Sequence, residues 1–439
     1  MTEESFAAGA IRRREFLVRA GSGGLMVFSS GTLLAACGGV KESGGSGSSA
    51  ALKIGYVSPQ SGPAAAFGET DGFIVDEVKR AVRNGVTIGD TKYSVQIVNK
   101  DSQSDPQRAA AVANDLISGE KVDLMLASST PENNNPVADA CEAAGVPCIS
   151  TVEPWEAFYF ARGATPEKPF TYTYHFSFGT QNFADAYISL WNGSVRTNKV
   201  VGVMWPNDSD GNAIRQALGP LLKKAGFKIV DPGPYENGTN DYSAQIARFK
   251  SAKAEIFNTF PLPPDFATFW RQAAQQGYQP KIAQIAKTGL FPSQVEALGK
   301  LGEGLATAVF WTPTFPYKST LTGKSSQQLG DDWESQTNKQ WTQDLGTTMA
   351  LFDAGIAALK AAPDPKDKAG VAKAIGTLKV DTNVGPLDWT KGPVKNVVPG
   401  AVVGAQWVKG KGRFPLDVVV CENKGDPNVP VAGKLTAYA

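Results

Sequence analysis

The chain has 439 residues, 42% hydrophobic and 19% charged, with a formal net charge of +1. That length exceeds what one hydrophobic core supports, roughly 250–300 residues, so two domains are expected of an ordinary globular chain. The charge balance leaves no basic excess for nucleic acid, and the single histidine, His175, excludes a multi-histidine metal site and restricts any Ser-His-Asp triad to one residue.

The chain opens with an address label. Arg12-Arg13-Arg14 runs into Glu15-Phe16-Leu17, which resembles a twin-arginine export signal. The stretch from Ala20 to Ala36 is apolar but rich in Gly, Ser and Thr, and shorter than the ~20 apolar residues of a spanning helix. It ends in Leu34-Ala35-Ala36-Cys37, which looks like a bacterial lipobox with Cys37 as lipid acceptor. Residues 1–37 therefore read as a lipoprotein signal peptide. Residues 38–51, mostly Gly and Ser, read as a flexible tether, so the protein is expected outside the cytoplasm and held to a membrane by lipid.

From Leu52 onward strand and helix patterns alternate. Leu52–Val57 reads as a strand, Gly72–Val82 as a striped helix, Tyr93–Val98 as a strand. Asp105 suits an N-cap and Pro106 a first helical position for a helix to Ile117. Val122–Ala127 is the next strand. A helix follows, starting at Pro131 or after Asn135-Pro136 and stopped by Gly145, then a strand to Ser150. Cys141 and Cys148 flank that turn; they could close a disulfide or remain two buried thiols, with Cys421 left over. The pattern repeats: strands at Lys199–Trp205, Phe227–Asp231, Ile256–Phe260 and Lys281–Ile285, helices at Asn212–Ala225, Tyr242–Ser251 and Phe266–Gln276. A long helix spans Trp341–Ala361, and Gly404–Phe414 reads as a hairpin. Such alternation predicts parallel sheets with helices on both faces.

Ser128-Ser129-Thr130 follows a strand and precedes a helix, where hydroxyls and free N–H groups could cradle an anion or could simply cap the helix. Thr151, Glu153 and Trp155 lie on the loop after the next strand; Glu153 could receive an ammonium or amide donor, and Trp155 could wall a pocket or pack on the surface. No nucleophile elbow, P-loop or zinc spacing is present in the sequence, and no cofactor is expected.

Taken in order, Ile54-Gly55-Tyr56-Val57-Ser58-Pro59-Gln60-Ser61-Gly62-Pro63, Ser128-Ser129-Thr130, Gly145-Val146-Pro147-Cys148, Gly385-Pro386-Leu387-Asp388-Trp389 and Gln406-Trp407 resemble the type I periplasmic binding proteins, in particular the branched-chain amino acid, amide and urea receptors of ABC importers. The resemblance covers Leu52 to the end. It implies two doubly wound α/β lobes joined by a three-crossing hinge, lobe I being residues 52–174 plus 311–386 and lobe II 175–310 plus 387–439, with His175 packed near the first crossing. It implies a monomer that captures a small molecule between the lobes and delivers it to a membrane permease, without catalysis; a sensor feeding a signalling partner would use the same fold. The implied ligand-binding residues are Gln60, Ser128, Ser129, Thr130, Thr151, Glu153, Trp155, Asp210, Phe260 and Thr288. Asp210 stands where many relatives carry an aromatic residue, and beside Lys287 it could form a surface ion pair of little energetic weight.

Overall fold

A computed structural model of the chain describes residues 51–438. The export signal, Cys37 and all but the last residue of the tether lie outside the described residues; Ala51 already belongs to the first strand. Among the described residues no helix is long and apolar enough to cross a membrane, and no group of three or more His, Cys, Asp or Glu side chains could hold a metal ion.

The first lobe begins β1 (Ala51–Ser58), α1 (Asp71–Val82), β2 (Val86–Ile88), β3 (Thr91–Asp101), α2 (Pro106–Asn114), β4 (Leu124–Ser128), α3 (Pro131–Ala144), β5 (Cys148–Thr151), α4 (Trp155–Tyr159) and β6 (Thr173–Ser177). The second follows with α5 (Thr180–Trp191), β7 (Val200–Met204), α6 (Ser209–Lys224), β8 (Lys228–Val230), α7 (Ser243–Ser251), β9 (Ile256–Thr259), α8 (Pro263–Gln275), β10 (Ile282–Ile285), α9 (Pro292–Glu296) and β11 (Ala306–Val309). The chain then returns with α10 (Ser326–Thr337), α11 (Gln343–Ala361), α12 (Lys368–Ile375), a ribbon of β12 (Lys379–Thr382) and β13 (Gly385–Asp388), and β14 (Val397–Pro399). It closes on β15 (Val403–Lys409) and β16 (Leu416–Glu422).

These strands form two seven-stranded sheets, β14-β6-β5-β4-β1-β3-β2 and β16-β15-β11-β10-β9-β7-β8. Both contain the doubly wound order in which the strand sequence reverses beside the first strand of the lobe. Among the described residues, the short edge strand β2 in the first sheet and β15 in the second run against the parallel direction; β16, antiparallel to β15, runs with the other strands. The expected two-lobed α/β architecture is therefore present.

Central strands such as β4, β5 and β9 are buried at every position, as parallel strands covered on both faces must be. Asp105 caps α2 by accepting from the Arg108 N–H at 2.7 Å, with Pro106 in the first helical position. The helix after β4 starts at Pro131, and Pro136 lies inside it. The hairpin is longer than its sequence pattern suggests: its second strand runs to Glu422, past the bend at Pro415. Helix α11 is buried on nearly all sides. Glycines let it approach: a Cβ on Gly346 would overlap the buried Trp311 ring, and one on Gly355 would sit 3.1 Å from Leu126.

The chain passes between sheets three times, after β6, after β11 and after β14. The passages lie side by side. The Phe178 and Phe310 rings, on the first and second, have centroids 5.1 Å apart, and Gly400 N on the third donates to Ser177 O at 2.6 Å. Strand β14 pairs with β6 in the first sheet although it lies beyond residue 386, where the resemblance ends lobe I. His175 sits on β6, also in the first sheet, two residues before its end. It is fully buried and stacked on Phe158 at 4.7 Å. Cys141 and Cys148 are buried free thiols, with no disulfide between them; burial first, and the Cys148 thiol second, push the Cys141 thiol well above its usual value.

Candidate functional site

In each lobe the strand order reverses between neighbouring strands, β1 and β4 in the first, β7 and β9 in the second. Helices leave on opposite faces there, so loops at the carboxyl ends of these strands part and leave a crevice. The two crevices face one another. Phe67, Thr130, Val152, Glu153 and Pro154 line one wall of the enclosed space; Phe183, Asp210, Phe260, Lys287 and Leu290 line the other; Phe178 and Phe310 close it at the crossings. The space measures ≈ 30 Å³, enough for about one or two waters. An organic molecule enters only if the lobes part.

The first wall stands on strained backbone. Thr130 and Val152 hold φ of 65° and 62°, and Ser129 143°, a region β-branched residues rarely occupy. Each such residue costs on the order of 1–3 kcal/mol and persists only where its surroundings over-determine it. Here the Thr130 N–H donates to Val152 O at 3.0 Å, locking the two bends together. Lys287, across the cleft, also holds a positive φ of 42°.

The expected anion cradle is occupied by the protein itself. Besides the Thr130 N–H, the Ser129 N–H donates to Asn134 Oδ1 at 3.3 Å. The Ser128 and Ser129 hydroxyls and Thr151 Oγ1 are buried without partners. Their loop ends in an acidic first turn, with Glu132 in α3.

Glu153 is 1% exposed, and neither carboxylate oxygen has a hydrogen-bond partner. Burial above all pushes its carboxyl well up; the nearby Asn134 amide works against this, while Glu132 and Asp210 add to it. Asn134 makes no hydrogen bond to either oxygen; its Nδ2 donates to Thr151 O at 2.7 Å. The loop is anchored from below by His175, whose Nε2 lies 3.1 Å from Glu153 O and whose Nδ1 lies 2.9 Å from Ser150 Oγ. A carbonyl can only accept, so Nε2 carries the hydrogen and Nδ1 accepts from the serine.

Asp210 and Lys287 form no surface pair. Lys287 Nζ sits 2.9 Å from Asp210 Oδ2 and 3.6 Å from Asp208 Oδ2, with the side chains of Lys287 and Asp210 only 8% and 6% exposed. Burial would lower the Lys287 ammonium's pKa, but Asp208, Asp210 and Glu132 outweigh it and raise it, keeping the lysine charged. Burial raises the Asp210 carboxyl, partly offset by Lys287, and Asp210 Oδ1 has no partner.

Of the ten anticipated residues, Thr130, Glu153, Asp210 and Phe260 meet at the cavity. Gln60 turns into its own lobe, donating to Asn99 Oδ1 at 2.7 Å. Trp155 packs against the first crossing: a Cβ on Gly179 would collide with its indole, and its backbone N–H donates to Phe178 O at 3.0 Å. Thr288 donates to Pro261 O at 3.1 Å beneath the surface of the site. Phe178, Phe183 and Phe310 were not anticipated; only their proximity to the crossings could have marked them.

The model of a family described as periplasmic binding protein matches residues 51–413. The chain belongs to this family. It is a family of binding proteins and not of enzymes. Leu/Ile/Val-binding protein homolog 7 of Brucella abortus is 25% identical over 254 residues, 54% of this chain and 59% of that relative, so the chain matches well under two thirds of its length. The Leu/Ile/Val-binding protein of Escherichia coli K12 is 23% identical over 355 residues, 78% of this chain and 88% of the relative. Among solved structures, a leucine binding protein from Thermotoga maritima superposes with a TM-score of 0.69 at 18% identity, covering 85% of this chain and 99% of that one. A solute binding protein of an ABC transporter from Rhodopseudomonas palustris, in complex with 4-hydroxybenzoate, gives 0.66 at 17% identity, covering 86% and 99%. At these identities the structural likeness establishes the fold, that of a type I periplasmic binding protein.

Proposed function

We propose that this periplasmic binding protein is the extracytoplasmic, lipid-anchored receptor of an ABC importer, capturing a small polar molecule of the amino acid, amide or related kind between its lobes. The observation that carries this is the placement of buried, unpartnered polar atoms on both walls of one cavity: Glu153 on the first lobe and Asp210 Oδ1 on the second. Buried polar groups in folded proteins are nearly always paired. A solute that supplies the missing partners on both walls binds the closed form better than the open one and draws the equilibrium toward closure. The names of the relatives, which include Leu/Ile/Val-binding proteins, support a solute of this size.

The closed, loaded form would dock on a membrane permease as a monomer. Lipid on Cys37 and the Gly/Ser stretch after it would confine the search to the membrane surface. Native mass spectrometry of protein purified from its own host tests the capture step; the expected result is a trapped small molecule that denaturation releases. Cys37→Ser should move the protein from the membrane fraction to the soluble exported fraction. Retention of the variant in the membrane would contradict the anchor, and repeated absence of any bound or bindable solute would contradict capture.

A further inference from the structure

The cleft is short of positive charge. Glu153 has both oxygens unpartnered, and Glu132 Oε1 and Asp210 Oδ1 are also buried and unpartnered. Among the described residues, Lys287 is the one cationic side chain lining the cavity. It is engaged by Asp210 at 2.9 Å and Asp208 at 3.6 Å, on its own lobe. Arg162 acts on Glu153 only at a distance: its guanidinium pairs with Asp139 at 2.7 Å and lies over the Phe170 ring at 4.0 Å. The backbone N–H groups at Ser129 and Thr130, where an anion would seat, donate within the protein.

The rest of the surface is aromatic. Phe178 touches Phe183 with centroids 4.8 Å apart and Phe310 at 5.1 Å, and Phe183 meets Phe260 edge-on at 5.2 Å. Phe67 adds a fifth ring to the lining. Phenyl faces attract cations, by roughly 0.5–2 kcal/mol for each well-placed ring and most strongly where water is excluded. They offer nothing to a carboxylate.

From this juxtaposition we propose that the solute is an organic cation, an amine or quaternary ammonium of net positive charge, seated between the Glu153 carboxylate and the phenylalanine rings. The proposal rests on the receptor reading above for capture between the lobes and departs from it in the class of solute. Burial favours the neutral Glu153 acid in the empty cleft, so the cation would bind as that proton leaves to water, pairing with a carboxylate that has no other partner in the protein, and the rings would cover its apolar body. A branched-chain amino acid would bring a carboxylate into a cleft whose lining carries the unpaired Glu153 and Asp210 carboxyls.

The test is isothermal titration of the full-length exported protein with four probes: choline, n-butylammonium, L-leucine and 4-hydroxybenzoate. At least one of the two cations should bind, and more tightly than the zwitterion and the anion. Glu153→Gln should weaken cation binding by ~10–100-fold, the loss of a charge-assisted contact, and should leave the stability of the unliganded protein little changed, because burial already favours the neutral acid there. Phe310→Leu provides a second reading, with a weakening of ~3–10-fold if one ring contact is lost. Preferred binding of leucine or 4-hydroxybenzoate, or cation binding indifferent to both substitutions, would overturn the cation proposal and leave the receptor intact. Binding of none of the four would overturn the proposal; if a broad panel of solutes of every charge also fails, the receptor reading falls with it.

Discussion

Lys287→Met should destabilise the protein by ~3–5 kcal/mol at pH 8, the usual consequence of removing one member of a buried ion pair. The lysine contacts Asp210 and Asp208 at the mouth of α6, and its loss leaves two carboxylates facing each other with Glu132 across the cleft. Among the described residues nothing else lining the cavity is cationic. The deficit should shrink at pH 5. Without Lys287 the Asp210 carboxyl, already raised by burial, is pushed further up, the native state takes up a proton that the unfolded state does not, and acid then favours the fold. The double variant Lys287→Met with Asp210→Asn should recover part of the loss. Urea denaturation of the three proteins at both pH values measures this. A deficit below about 1 kcal/mol, the range of exposed pairs, would place the pair in water and contradict the closed geometry of the second wall.

The pH dependence carried by His175 should be of similar size. Its imidazole is held at about 3 in the fold, mainly by burial, against 6.5 for the free group. Between those values the unfolded chain binds a proton that the native protein refuses, so stability rises with pH. The contribution is complete above the free value and is lost as the pH falls toward 3. Each pH unit is worth ~1.36 kcal/mol, so between pH 6.5 and 4 roughly 3 kcal/mol disappears. The total curve will not show this alone. Asp71 and Asp353 are raised by burial to about 7; such acids stabilise the fold as pH falls through that value and so oppose the histidine. The difference between the parent and His175→Gln isolates it. That difference should be largest near pH 7.5 and should narrow by roughly 3 kcal/mol at pH 4. A constant difference would mean that His175 takes up its proton as readily in the fold as in the unfolded chain, at odds with its burial between Ser150 Oγ and the Glu153 carbonyl.

Much of the architecture is legible in the sequence because its signals are local. Asp105-Pro106 marks a helix start by capping chemistry, and Gly145 a helix stop by its left-handed φ of 66°. The buried strands read as short apolar runs because helices cover both faces. Where tertiary contacts decide, the sequence is silent. Val397-Val398-Pro399 is too short to stand out, and it is a strand only because β6 offers an open edge. Pro136 looks like a helix start as readily as Pro131; its first-turn preference is local, and the loop geometry that favours Pro131 is set by the Thr130–Val152 contact.

The site divides the same way. Glu153 and Asp210 are visible because strand-end loops are where an open sheet binds ligands, and an acid there lacks an obvious structural purpose. Trp155 and Gln60 lie on the right loops, but side-chain direction sends one to the Gly179 crossing and the other to Asn99. Phe178 and Phe310 belong to the site because the chain crosses between lobes there, a property of topology that periodicity does not carry. The importance of Lys287 depends on burial, which turned an apparent surface pair into the main charge contact of the second wall.

Hinged capture in the cleft is the central claim, and small-angle scattering of the protein with and without its solute tests it most directly. The closed space of ≈ 30 Å³ is too small to admit an organic molecule without opening, so the unliganded ensemble should include open forms. Saturating solute should lower the radius of gyration and sharpen the pair-distance distribution. An unchanged scattering profile at saturation, with binding confirmed independently, would contradict the account.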